Sequence, residues 1–121
     1  MDIIARASEA LKPVSDDGII VQQGWYDKSI KKLHVTLWSL GDYEGAHADD
    51  AADVDVASIQ VNIWSKKDQQ SLKNRIKKLM KKNGFYYMGG NDELEADTGI
   101  FINAMRFLLM AEATEDEEME E

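Results

Sequence analysis

Residues 59–82 read IQVNIWSKKDQQSLKNRIKKLMKK, and a change of period inside this stretch decides the fold class. Ile59, Val61 and Ile63 alternate with Gln60, Asn62 and Trp64, the period of two that a half-buried strand requires. From Ser65 onward the apolar positions are Leu72, Ile76, Leu79 and Met80, spaced i, i+4, i+7 and i+8, which places them on one side of a helix. Ser65 is the expected N-cap, with Asp68 three residues on to favour the positive helix end, and Asn83-Gly84 is the expected stop. Strand followed directly by amphipathic helix excludes an all-β chain and an all-helical one.

Working outward, Ile3, Ile4, Ala7 and Leu11 predict a short amphipathic helix over residues 2–12, ended by Pro13. Asp16-Asp17-Gly18 is turn chemistry, and IIVQQGWY after it predicts a strand. DKSIKK is turn-like and leads to LHVTLWSL, with Leu33, Val35 and Leu37 on one face and His34, Thr36 and Trp38 on the other. The two segments are expected to form a hairpin. Residues 41–53 have no periodicity and predict a solvated acidic loop, and VDVASIQVNIW is the next strand. After the helix, FYYMGG predicts a strand, NDELEADTG a polar connection, and GIFINAMRFLLM a longer strand. In that last strand Ile100, Ile102, Ala104, Leu108 and Met110 are placed on one face and Phe101, Met105 and Phe107 on the other. With two apolar faces it belongs at the centre of a sheet or at a subunit contact. The order α-β-β-β-α-β-β predicts an α+β domain over residues 1–111, with a mainly antiparallel sheet and its helices packed on one face. Residues 112–121 form an acidic tail outside it.

The 121-residue chain carries a formal net charge of −9, unevenly spread. Positions 66–82 hold eight basic residues against the single acid Asp68, whereas residues 41–55 hold six acids and the end, EATEDEEMEE, holds seven, both without Lys or Arg. An acidic chain is repelled by nucleic acid at long range, so only the basic helix could make such a contact. Around the helix the basic residues fill the whole arc opposite the apolar stripe. Two readings stand: a solvated face, or a face that meets an acidic partner, with the loop and tail of this chain or of a second copy as natural complements. No helix-turn-helix spacing, zinc finger or basic zipper is present. Neither a signal peptide nor an apolar run of about 20 residues is found, so a cytoplasmic origin without membrane association is expected.

Nothing in the chain points to catalysis. Cysteine is absent and the two histidines are far apart, so no metal site or cofactor is expected. The acids of DDAADVD lack the D-x-D-x-D-G calcium pattern. A nuclease centre could start from Asp55, but the polar positions that follow on that strand are the neutral Gln60 and Asn62. No phosphate-binding G-x-x-x-x-G-K-[ST] motif or G-x-S-x-G nucleophile elbow occurs. Aromatic residues at polar positions carry more information. Trp38 and Trp64 lie opposite the Leu/Val/Ile stripes, and either meet a protein partner or cover each other across neighbouring strands. Arg106 interrupts an apolar strand, so it should sit at an edge, pair with a carboxylate or face a partner. Candidate interface residues are therefore Trp38, Trp64, Lys78, Lys82 and Arg106.

The block ASIQVNIWSKKDQQSLKNRIKKLMKKNGF, followed by GGNDELEADTGIFINAMRF, resembles the tail-completion proteins of long-tailed bacteriophages, also called tail terminator or tail-to-head joining proteins. The resemblance covers residues 54–108: an (I/V)QV(D/N)IWS-like strand, an amphipathic helix, a strand led by GF, a D-T-G turn and an M-R-F-like end. The first third of the chain matches in element order, and the acidic tail falls outside the pattern. The resemblance implies a non-enzymatic virion protein of the tail and neck, assembled in the bacterial cytoplasm. Such a protein forms a ring, usually a hexamer, that contacts the tail tube protein and the head connector or neck protein, while DNA passes through without tight binding. The alternative is a cytosolic adaptor that binds a basic protein through the acidic tail; a third is a nucleic-acid-handling protein using the lysine helix.

Ile76→Asp is expected to abolish cooperative unfolding, because it places an unpaired charge on the buried stripe. Charge reversal at Lys78 and Lys82 together should change stability by less than about 0.5 kcal/mol per site in a urea titration.

Overall fold

A computed structural model describes residues 1–28, 30–44 and 54–112. Its elements are α1 (Ile3–Ala10), α2 (Lys12–Asp16), β1 (Ile20–Gln23), β2 (His34–Glu44), β3 (Val54–Ser65), α3 (Gln70–Lys82), β4 (Tyr86–Glu95) and β5 (Ile100–Glu112). The five strands form one sheet in the order β1-β2-β3-β5-β4. The pairs β2–β3, β3–β5 and β5–β4 are antiparallel, and the helices pack on one face, as the periodicities predict.

On that face Val35 and Leu37 of β2, Ile59, Val61 and Ile63 of β3, and Met105 and Phe107 of β5 meet Ala7 and Leu11 from the first helices and Leu72, Ile76 and Met80 from α3. All but Leu72 are completely shielded from water, and Leu72 nearly so. Full burial of each aliphatic side chain is worth roughly 1.5–3 kcal/mol. The longest strand, β5, lies between β3 and β4, an interior position that suits a strand with two apolar faces.

α3 ends in a Schellman motif. Gly84 takes φ +93°, Gly84 N–H donates to the Lys81 carbonyl at 3.1 Å, and Phe85 N–H donates to the Met80 carbonyl at 3.1 Å. The start of α3 differs from the expectation. The helix begins at Gln70, and Ser65 is still in β3, where its Oγ accepts from Lys67 N–H. The cap comes from another strand: Asn103 Oδ1 accepts Gln69 N–H at 3.0 Å. Its Nδ2 donates to Asp68 Oδ1 at 3.0 Å and to Asp92 Oδ1 at 2.9 Å. This buried amide thus joins β5, β4 and the helix entry, with all its bonds on long-range partners.

Four further expectations are corrected. Pro13 does not end the first helical stretch but opens α2 after a break at Leu11, since a missing N–H costs nothing in a first turn. β1 and β2 are not a hairpin: they pair in parallel, Ile20 opposite His34 and Gln23 opposite Leu37. Residues 41–44 are not loop but the end of β2, paired with 55–58 across a bulge at Ser39/Gly41. The connection NDELEADTG is shorter than expected, because Asn91–Glu95 continue β4 and only residues 96–99 turn, with Gly99 at φ +73°. Residues 45–53 of the expected acidic loop and 113–121 of the acidic tail lie outside the described residues.

Asp92 links β4 to α3. Hydrogen bonds from Asn103, Lys73 and Gln70 favour its carboxylate and lower its pKa from near 3.8 to about 2, against a smaller opposing effect of burial. The stability it contributes is fully present above the unfolded value and is lost as the pH falls through the folded one. Asp92→Asn is therefore expected to narrow its stability deficit relative to the parent as urea titrations move from about pH 5 towards pH 2.

Candidate functional site

The sheet face away from the helices is the candidate site. Even-numbered residues of β3 and β5 point there, paired Trp64 with Ile102, Asn62 with Ala104, Gln60 with Arg106 and Val56 with Met110. β2 adds His34, Thr36 and Trp38.

One end of this face is roofed by the crossover between β1 and β2. Gly24, at φ +127°, redirects the chain and donates its N–H to the Leu37 carbonyl. Trp25 then lies edge-on to both Trp38 and Trp64, with ring centroids 6.0 and 5.6 Å apart, and Tyr26 lies 5.0 Å from Trp64. His34 stacks on Tyr26 and on Trp64. Beneath this cover Trp64 is 5% exposed, and its Nε1–H donates to Thr36 Oγ1 at 2.8 Å. His34 Nδ1 is 3.0 Å from the Lys32 carbonyl, so that nitrogen carries the proton, while Nε2 has no partner among the described residues. The cluster is a second, aromatic core.

Beyond Trp38 the cover ends. Trp25, Trp38, Tyr43, Tyr86, Met88 and Met110 are 46–61% exposed. At about 200 Å² for each large side chain they present on the order of 600 Å² of apolar surface. That is the upper end of what a monomer leaves open, and approaches the roughly 800 Å² each partner contributes to a standard interface. Beside the patch runs an open trough of about 450 Å³, lined among others by Trp25, Gln60, Asn62, Met88, Glu93 and Arg106. Arg106 forms no hydrogen bond or ion pair with any described residue.

The five candidate residues do not converge. Trp38 and Arg106 share the open face, connected in register through Gln60. Trp64 is a correction: buried under Trp25 and Tyr26, it is core and not contact surface. Trp38 and Trp64 do not cover each other directly either; Trp25 stands between them. Arg106 is not at an edge but on the interior strand β5. Lys78 and Lys82 are exposed on α3, on the opposite side of the sheet. Of the eight basic residues in the helix region, four have partners. Lys73 meets Asp92 at 2.7 Å, Arg75 meets Asp17 at 2.6 Å, Lys77 lies 4.1 Å over the Tyr87 ring, and Lys66 donates to the Thr98 carbonyl. Lys67, Lys78, Lys81 and Lys82 have none among the described residues.

Two residues that matter here escaped the sequence reading. Trp25 was placed in a strand, and only the crossover reveals its role as a roof. Asn103 had a signal, a lone amide in the apolar run GIFINAMRF. Among the described residues no cluster of His, Asp and Glu could hold a metal ion, and no helix is long and apolar enough to cross a membrane. No protein-family model matches the chain, and no curated protein matches it.

Trp25→Ala should expose Trp64, shifting its fluorescence to longer wavelength. The expected loss of stability is about 1–2 kcal/mol by urea titration, below the cost of removing a fully buried ring.

Proposed function

We propose that the chain is a structural protein of a long-tailed bacteriophage or prophage. It assembles as a ring, of six copies, on the head-proximal end of the tail tube, stops tube growth and joins the tail to the head connector. The observation that carries this reading is the bare apolar half of the open sheet face, on a chain whose residues 54–108 bear the motifs that resemble tail-completion proteins. A patch of that size has its use in contact with protein. The exposed lysines of α3 provide a second, unlike surface on the other side of the sheet, and two different surfaces on one chain suit the head-to-tail contacts from which rings close. A net charge of −9 disfavours tight binding to DNA passing through the ring. The role rests on shape and contact and uses no reactive group.

The test is a mass measurement in solution by light scattering, with negative-stain imaging of the protein alone and mixed with tail tubes. The expected results are a particle of six times the 13.7 kDa chain mass and rings at one end of each tube. A chain that stays monomeric and leaves tube ends bare would overturn the proposal.

A further inference from the structure

We infer that the open sheet face of one copy receives the β4–β5 hairpin of the next copy, with Arg106 taking a carboxylate from that hairpin. This rests on the ring reading and names the two surfaces that would meet.

The face has specific requirements. It needs an apolar group to cover Trp38, Tyr86 and Met110, and an anion for Arg106, whose guanidinium lines a trough with the amides of Gln60 and Asn62. Gln60 Nε2 donates to Asn62 Oδ1 at 3.0 Å, which leaves the Asn62 amide N–H groups to donate beside Arg106. A carboxylate fits such a fork of donors.

The described residues offer one element that meets both requirements. Of the eight large apolar side chains that are exposed, six lie on the open face and Leu40 sits at the bulge of β2; only Leu94 lies elsewhere. It is on β4 between Glu93 and Glu95, close to Asp97, and every residue from Asn91 to Gly99 is exposed. From Asn83 to Gly99 the chain has no Lys or Arg. Asp92 is held by Lys73 within its own copy, whereas Glu93, Glu95 and Asp97 have no cationic partner among the described residues. The turn is well built for presentation: Gly99 N–H donates to the Glu95 carbonyl at 2.8 Å, Thr98 Oγ1 donates to Glu95 Oε1 at 2.8 Å, and Lys66 holds the Thr98 carbonyl at 2.7 Å. The tip from Leu94 to Gly99 and the patch around Trp38, Tyr86, Arg106 and Met110 are separate stretches of the chain, while Glu93 lines the trough of its own copy. In a ring this contact runs head to tail and propagates from copy to copy, whereas a reciprocal two-fold pair would stop the double variant at two chains.

The chain has no cysteine, so introduced thiols report the contact without background. Tyr86→Cys and Leu94→Cys are made singly and together, and oxidised at a concentration where the parent oligomerises. Each single variant alone should give no disulfide-linked product, the mixture of the two should give a product of two chains, and the double variant should give a ladder. In parallel, Arg106→Glu, with folding checked by circular dichroism, should weaken association on the order of tenfold or more, and adding Glu95→Lys and Asp97→Lys, which lie outside the trough of their own copy, should restore most of it. Linkage of a single variant to itself, or none in the mixture while rings still form, would overturn this contact and leave the ring reading intact. Failure of the parent to oligomerise at any concentration, with or without tail tubes, would remove both.

Discussion

A strand with two apolar faces must be covered on both, and β5 imposes this constraint on the whole molecule. Its Met105, Phe107 and Leu109 face the helices, while Ile102, Ala104, Leu108 and Met110 face the other way. The first face is satisfied within the chain, by α1, α2 and α3 closing over Val61 and Ile63. The second is satisfied only in part. The crossover carrying Trp25 and Tyr26 covers the end near Trp64, and nothing among the described residues covers the end near Tyr86 and Met110. Folding thus leaves a defined apolar area exposed, and its boundary is set by how far ten residues of connection can reach.

The polar chemistry is divided along the same line. On the helix side half of the basic residues are engaged internally: Asn103 and Lys73 both hold Asp92, and Arg75 holds Asp17. These contacts orient α3 on the sheet, although exposed ion pairs of this kind contribute little stability each. On the open side Arg106 has no such partner. A guanidinium that lines a trough with Trp25, Met88, Glu93 and two amides, without an ion pair, adds little to the stability of the isolated chain. In the proposed ring, apolar area would supply affinity and Arg106 would set register and orientation, the usual division between hydrophobic burial and charge at interfaces.

How much was legible in the sequence differs element by element. The strand at 59–64, the helix at 72–80 and its glycine stop were legible because side-chain period and αL preference are local properties, read from neighbours a few residues apart. The extension of β4 through Asn91–Glu95 was not, since NDELE is polar and becomes a strand only because β5 offers a ladder to pair with. The start of α3 was misplaced for a similar reason: Ser65 looks like a cap, but the acceptor that binds the first free N–H is Asn103, 34 residues away.

The candidate site divides in the same way. By itself the sequence determined that Trp38, Trp64 and Arg106 stand on the face opposite the Val/Ile stripe, because alternation assigns faces whatever the strand's neighbours are. Only the tertiary structure decided which of them stays exposed. β1 runs parallel to β2, and strand direction leaves no mark on alternation; the crossover this requires lays Trp25 over Trp64 and stops short of Arg106. Exposure depends on contacts between residues distant in the chain, and those exist only once the sheet has formed.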